Sequence, residues 1–238
     1  MALILCLETA TEVCSVALSA KGTLLAIKES ATRNVHSSLL TVFIDDVCRS
    51  AGINLSEIDA LAVSMGPGSY TGIRIGVATA KGLCYSLGKP LIAVSTLQAM
   101  AQGMMTHFVS ILHQPISDNL FFCPMIDARR MEVYCALYDK NLSLIDAPRA
   151  QIVEENTFEK ELSGHPVLFA GNGALKCRPL LENHKNTLFI DSFTTSAQFM
   201  IPLAEEKFLH KKFENLVYFE PFYLKDFIAG KPRVKGLN

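Results

Sequence analysis

Ala60-Leu61-Ala62-Val63-Ser64-Met65-Gly66-Pro67-Gly68-Ser69-Tyr70-Thr71-Gly72-Ile73-Arg74-Ile75-Gly76 is the stretch from which the fold reads most directly. Ala60–Met65 is a short apolar run bounded by turn residues, which predicts a buried strand. Gly66-Pro67-Gly68 breaks it. A helix is expected from about Thr71 to Leu87, stopped by Gly88-Lys89-Pro90. A glycine-rich strand-to-helix turn points to an α/β protein, because it lets backbone amides at a helix start approach another group closely.

Upstream, Ala2–Leu7, Cys14–Ser19 and Leu24–Glu29 read as strands, with Lys21-Gly22 as the turn between the last two. His36–Arg49 reads as a helix ending near Gly52. Downstream, Leu91–Val94 is a further strand and Thr96–His107 a helix. The order is β-β-β-α-β-α-β-α. The remainder repeats it more loosely. Strands are expected at Leu120–Ile126, Glu132–Tyr138, Leu142–Ile145, Val167–Ala170 and Leu188–Ile190. Helices are expected at Val153–Leu162, Ala174–Leu181 and Ser196–Phe213. The fold class is therefore α/β, built from two copies of one unit, with a boundary in Gly103–Asn119. The division is 1–108 and a smaller 109–238, with the Ser196–Phe213 helix packing back on the first. This duplicated order resembles the actin-like, sugar-kinase and Hsp70 ATPase superfamily with its ribonuclease H-like halves, which by itself assigns no activity.

Composition narrows the function classes. Half of the 238 residues are hydrophobic and 19% are charged, enough apolar material for a sizeable core. The net charge of -1 implies no strongly basic surface, so tight nucleic-acid binding by this chain alone is not expected from it. Arg178-Pro179 and Arg233-Val234-Lys235 read as ordinary surface charge. The seven cysteines contain no C-x-x-C pair, and Cys6, Cys14, Cys123 and Cys135 fall within strands as small buried hydrophobes of a reducing compartment. The apolar start carries Glu8 and Glu12 and alternates like strands rather than a signal peptide, and no membrane span is visible. A cytoplasmic protein is the expectation.

The chemistry-bearing motifs are incomplete. The Gly66–Gly76 loop has two readings, a phosphate site or a tight turn that only packs. It lacks the Gly-Lys-Ser/Thr of a Walker A loop, and its third glycine is one residue late for a dinucleotide loop. Glu8-Thr9-Ala10-Thr11 keeps the acid expected after the first strand of an actin-like half but no glycine; Asp127-Ala128-Arg129-Arg130-Met131-Glu132 also has none. His36 has Leu40 rather than a second histidine at i+4, and reads as a helix-start or surface residue. Gly72, Gly76 and Ala80 recur at i+4, and each interior glycine costs about 0.8–1 kcal/mol against Ala. Close helix–helix approach would offset that cost, within this chain or with another. Leu39, Leu40, Val42, Phe43, Ile44 and Val47 cover more than one stripe of their helix, which favours a second chain.

Ile4-Leu5-Cys6-Leu7-Glu8-Thr9-Ala10-Thr11, Cys14–Leu18, His36–Leu40 and Gly66–Gly76 continuing through Ala80-Lys81-Gly82-Leu83 resemble the TsaB family. Asp127–Tyr134 and Gly171-Asn172-Gly173-Ala174 resemble its second-domain motifs, and Glu8 departs from the aspartate the family often shows. The resemblance implies a degenerate paralogue of TsaD, the subunit that transfers threonylcarbamoyl to the adenosine beside the anticodon in tRNA. TsaD holds metal through a histidine pair that this chain lacks. A non-catalytic scaffold in a TsaD heterodimer is thus implied, with an interface formed by Leu39, Leu40, Phe43, Val47, Gly72, Ile73, Gly76, Ala80 and Leu83. TsaE and TsaC complete the pathway, tRNA is met through the complex, and a homodimer in the absence of TsaD stays open. No tightly bound cofactor or metal is implied. ATP or ADP at the junction with TsaD is the one nucleotide role left, with Glu8, Thr9, Thr11, Gly66, Gly68 and Arg74 as candidate contacts. The alternatives are an active small-molecule kinase, which needs intact phosphate loops in both halves, and a glycoprotease-like metallopeptidase, which needs a ligand cluster.

Overall fold

The computed structural model describes residues 2–32, 35–112 and 116–225. The first half comprises β1 (Leu3–Glu8), β2 (Cys14–Ala20), β3 (Thr23–Ser30), α1 (His36–Ala51), β4 (Ala60–Gly66), α2 (Tyr70–Leu87), β5 (Leu91–Ser95) and α3 (Thr96–Leu112). Its sheet has the order β3-β2-β1-β4-β5, antiparallel over the first three strands and parallel from β1 to β5. β1 is apolar throughout because both faces of the sheet are covered. Leu5 and Leu7 pack under α1 and α2, while Ile4 and Cys6 face the opposite cluster. The edge strand β3, by contrast, is largely exposed and carries Lys28 and Glu29. Ser69 caps α2 by accepting the Gly72 N–H at 3.3 Å, and Gly52 and Gly88, both left-handed, end α1 and α2.

The second half comprises β6 (Phe121–Asp127), β7 (Glu132–Tyr138), β8 (Leu144–Ile152), α4 (Glu159–Gly164), β9 (Val167–Ala170), α5 (Asn172–Leu181), β10 (Thr187–Phe189) and α6 (Ile201–Leu209). Its sheet runs β8-β7-β6-β9-β10, so β6 holds the place of β1 and β9 that of β4. Two sheets with one ribonuclease H-like order make this the duplicated actin-like architecture. The halves exchange covering elements. α3 leaves the first half and lays Leu97, Met100 and Met104 on Phe122, Ile126 and Leu168. A single 3-10 turn at Ala197–Met200, followed by α6, covers Ile4, Cys6, Ile92 and Val94. Polar contacts cross this seam: Ser15 Oγ accepts the Ala197 N–H at 2.8 Å, and Lys207 donates to Ala93 O at 2.6 Å.

Beyond α6 the chain straps back over the first half. Glu214 N–H bonds Leu91 O, Phe219 is buried in the α1/α2 core, and Lys81 donates to Phe219 O at 3.0 Å. Phe222 N–H then donates to Met65 O at 2.7 Å, and Lys225 pairs with Glu132 of the second half.

Several element limits differ from the sequence expectation. β8 runs to Ile152 instead of ending at Ile145, because it pairs with β7 along its length while Asp146, Arg149 and Gln151 keep one face polar. The helix expected at Val153–Leu162 is confined to α4, since Glu154–Thr157 closes a turn in which Thr157 Oγ1 accepts the Glu154 N–H. The long helix at Ser196–Phe213 shortens to α6 after the 3-10 turn; Pro202 suits only a first helical turn, and Lys211 has positive φ. The start of the Gly103–Asn119 boundary lies inside α3, and residues 113–115 of it are outside the described residues.

Candidate functional site

The two halves enclose a cleft of about 600 Å³. One wall is the β1–β2 turn (Ala10, Thr11, Glu12), the start of α1 (His36, Ser37) and the glycine loop into α2 (Pro67 to Gly72). The other is the β6–β7 hairpin (Ile126 to Arg129) with Tyr134 and Asn172, and the strap closes one side with Phe222, Tyr223, Leu224 and Lys225. In an active actin-like enzyme the phosphates of a nucleotide would lie between the two hairpin turns.

The first of these turns is shut. Ala10 O accepts the Ser69 N–H at 2.6 Å, and a Cβ on Gly68 would collide with that same carbonyl. Gly72 is packed just as closely on Thr9 O, and Gly76 on Thr9 Oγ1. Glu8 points inward, 1% exposed, where its Oε1 accepts the Ala10 N–H at 2.6 Å. Burial pushes its carboxyl up to about 7, only partly offset by hydrogen bonds from Ala10, Ser64 and Thr9. Of the candidate junction residues, Thr11 and Gly68 line the cleft, with Thr11 Oγ1 2.6 Å from Thr195 Oγ1. Arg74 is exposed at its rim, its guanidinium 5.0 Å over the Tyr70 ring. Glu8, Thr9 and Gly66 are buried behind it; a Cβ on Gly66 would stand 2.5 Å from Phe222 O. These residues do not fit a metal-bound polyphosphate held between the turns, since the acid cannot reach it and backbone fills the space. Among the described residues no three His, Cys, Asp or Glu side chains converge to hold a metal ion. His36 begins α1 as expected, but it is buried rather than on the surface, its Nε2 3.3 Å from Val13 O. Burial lifts the thiols of Cys14 and Cys84 to about 11 and that of Cys6 to about 12, so they stay protonated and unreactive.

The interface residues divide by the side of the helix they occupy. Leu40, Val47, Gly72, Ile73, Gly76 and Ala80 all face this chain's own core. The expectation that Gly72, Gly76 and Ala80 meet another helix is therefore corrected: for the two glycines the close approach is to Thr9 at the end of β1. Leu39, Phe43 and Leu83 are half-buried at the edge of the opposite face. That outer face adds Val42, 50% exposed, Tyr85, 84% exposed, and the small residues Ala78 and Gly82, with nothing within 4 Å of where a Gly82 Cβ would stand. Beside it opens a groove of about 370 Å³ lined by Thr41, Ile44, Cys48, Ile53, Leu55 and Leu83, with the Asp45–Arg49 ion pair on its rim. Ala78 and Gly82, which stand near the Gly72/Gly76/Ala80 series in the sequence, are themselves spaced at i+4 and both exposed. In the β6–β7 hairpin, Arg129 and Arg130 take the positive φ values, 72° and 52°, that glycine usually supplies.

Comparison with known proteins agrees with this geometry. Residues 27–230 match the family model of TsaD, tRNA N6-adenosine threonylcarbamoyltransferase. The tRNA threonylcarbamoyladenosine biosynthesis protein TsaB of Escherichia coli is 34% identical over 96% of this chain and 96% of its own. Its counterpart in Haemophilus influenzae is 32% identical over 96% and 95%. The crystal structure of YeaZ from Pseudomonas aeruginosa superposes with a TM-score of 0.79 at 26% identity, covering 94% of this chain and 100% of that one.

Proposed function

The chain belongs to the TsaB family of tRNA threonylcarbamoyladenosine biosynthesis proteins, and from that premise we propose that it is the non-catalytic subunit that supports a TsaD-type transferase. The observation that carries the reading is a pairing of opposites. The place where an actin-like enzyme handles phosphate is filled by the Ala10–Ser69 contact, while the outer face of α1 and α2 leaves Val42 and Tyr85 open beside the small residues Ala78 and Gly82. Leu39, Val42, Phe43 and Tyr85 supply large apolar contacts, and Ala78 with Gly82 gives a flat track against which a partner helix can lie close. Apolar side chains ringing such a track are the usual material of an interface centre. A transferase related to this chain by the same duplicated topology would present its own first two helices, giving a bundle of four.

In this reading TsaC-type and TsaE-type proteins act in the same cytoplasmic pathway, the second as its ATPase. Any ATP or ADP sits at the junction with the transferase rather than between the turns of this chain. A kinase reading would require Glu8 to reach the cleft, and it faces the core instead. Among the described residues no helix is long and apolar enough to cross a membrane.

The test is binding of the full chain to its cognate transferase. Val42→Asp is expected to keep the wild-type melting temperature within about 2 °C, being half exposed, and to weaken the complex at least tenfold. Depleting the chain is expected to remove threonylcarbamoyladenosine from tRNAs that read codons beginning with adenosine, read by mass spectrometry of digested tRNA. Unchanged binding by V42D places the interface elsewhere; unchanged modification overturns the subunit role.

A further inference from the structure

We propose that the β6–β7 hairpin of this chain is a phosphate-binding site for the RNA backbone, with the guanidinium groups of Arg129 and Arg130 as the ligating forks. The proposal rests on the reading above, that the chain works in an assembly acting on tRNA. It begins with a backbone that does not suit its residues. Arg129 and Arg130 are the only consecutive non-glycine residues with positive φ among those described. Glycine, asparagine or aspartate would take that conformation with less strain. Strain of this kind persists where the surrounding structure enforces it and the side chains have a use.

The enforcement is visible. Ala128 N–H donates to Glu132 O at 3.1 Å, Glu132 N–H to Arg129 O at 3.2 Å, and Arg129 N–H to Asp127 Oδ1 at 2.8 Å. Asn172 Oδ1 accepts the Asp127 N–H at 2.9 Å and ties the hairpin to the start of α5. The two flanking acids are then neutralised by lysines from elsewhere: Lys176 pairs with Asp127 and Lys225 with Glu132. Each acid is thus charge-compensated by a lysine. Both arginines are exposed, and no side-chain partner is present for either among the described residues. A chain of net charge -1 thus presents a local fork of unpaired cations.

Placement selects the ligand. Arg129 lines the cleft mouth together with Tyr70 and Tyr223, whose rings are 5.1 Å apart, and Arg74 lies over Tyr70. Exposed arginine forks suit the phosphodiester backbone of a looped RNA segment. The floor of the cleft, where a mononucleotide's phosphates would sit, is closed by the Ala10–Ser69 contact. The cations therefore serve a polymer passing over the rim.

The test uses the full chain, alone and with its cognate transferase, titrated with an unmodified tRNA transcript across a salt series. The variant R129N/R130G removes both charges and supplies residues that prefer the left-handed region, so it should melt at or above the wild-type temperature. We expect the assembly carrying it to bind the transcript roughly tenfold more weakly near physiological salt, with the slope of log K against log salt reduced by about two. Unchanged affinity and slope in a normally folded variant overturn the proposal. So does a variant that keeps RNA binding but loses binding of ADP, which would assign the arginines to nucleotide phosphates. If the wild-type assembly neither binds nor modifies the transcript, the functional reading fails and this site with it. If it does both and R129N/R130G matches it, only this site fails.

Discussion

The turn after β1 and the turn after β6 occupy the same place in two copies of one topology, yet one is dry and the other wet. In the first half the acid at the strand end, Glu8, is sealed behind Ala10, Gly68 closes on Ala10, and the α2 glycines Gly72 and Gly76 close on Thr9. In the second half the matching acid, Asp127, stays at the surface, bonded by Lys176 and the Arg129 amide. Its helix start is held by a side chain, Asn172, rather than by backbone contact alone. A buried turn is specified by volume, because no extra atom fits. An exposed turn is specified by charge and hydrogen bonding, and tolerates substitution. A nucleotide-handling enzyme needs both turns open and facing each other; here one has become packing and the other a charged rim.

Four substitutions press on that contrast, two of similar large effect and then two smaller ones. Gly72→Ala places a Cβ against Thr9 O, a backbone atom that cannot step aside. A loss of about 2–3 kcal/mol is expected in urea unfolding. A loss under about 0.5 kcal/mol would mean that the dry turn can move.

Next is the pH dependence of Glu8. Its folded pKa, about 7, lies above the ordinary 4.5, so its contribution is fully present below pH 4.5 and is lost as pH rises through 7. The difference amounts to about 3 kcal/mol. Glu8→Gln keeps an acceptor for the Ala10 N–H and cannot ionise. It should therefore gain stability relative to wild type as pH rises from about 4.5 to 8, whereas parallel curves would show that Glu8 reaches solvent.

Gly82→Ala tests the outer face of α2. With open space around it, the substitution should stabilise the free chain by about 0.8–1 kcal/mol through helix propensity, while weakening binding of the transferase if that face is the track. Calorimetry of the free chain beside a binding titration separates the two. The smallest effect belongs to the wet turn. Asp127→Asn removes an exposed ion pair with Lys176 and should shift stability by no more than about 1 kcal/mol, falling towards zero at high salt. A larger, salt-insensitive loss would place Asp127 with Glu8 as a structural acid.

The order of strands and helices was legible because most elements carry their own signal. The continuous run of β1 and the glycine punctuation around α2 leave few alternatives. The extension of β8 to Ile152 was not, because an edge strand with polar residues at Asp146, Arg149 and Gln151 lacks the apolar run that marks a central one. The role of the small residues of α2 was only half legible for a geometric reason. Small residues at i+4 mark a helix face that something approaches closely, but the spacing is identical whether that is Thr9 of the same chain or a helix of another. Gly72 and Gly76 serve the first, and Gly82 has open space around it. Asp127–Glu132 carries no glycine, yet the backbone there adopts glycine's conformation with arginine in its place. Residue type predicts which conformations are easy, and it does not forbid the hard ones.

The cover that the chain's later part gives the first sheet sets a condition on synthesis. Ile4, Cys6, Ile92 and Val94 are buried by Ala197, Met200, Ile201 and Ala204, which emerge roughly 100 residues after β5 is complete. At about 5–20 residues per second, the nascent first half waits roughly 5–20 s with one apolar sheet face bare. It therefore cannot mature as an independent vectorial unit. A chain stalled or truncated before α6 would present that face to trigger factor-like holdases or to other nascent chains, and the finished fold closes only once the strap has left the ribosome.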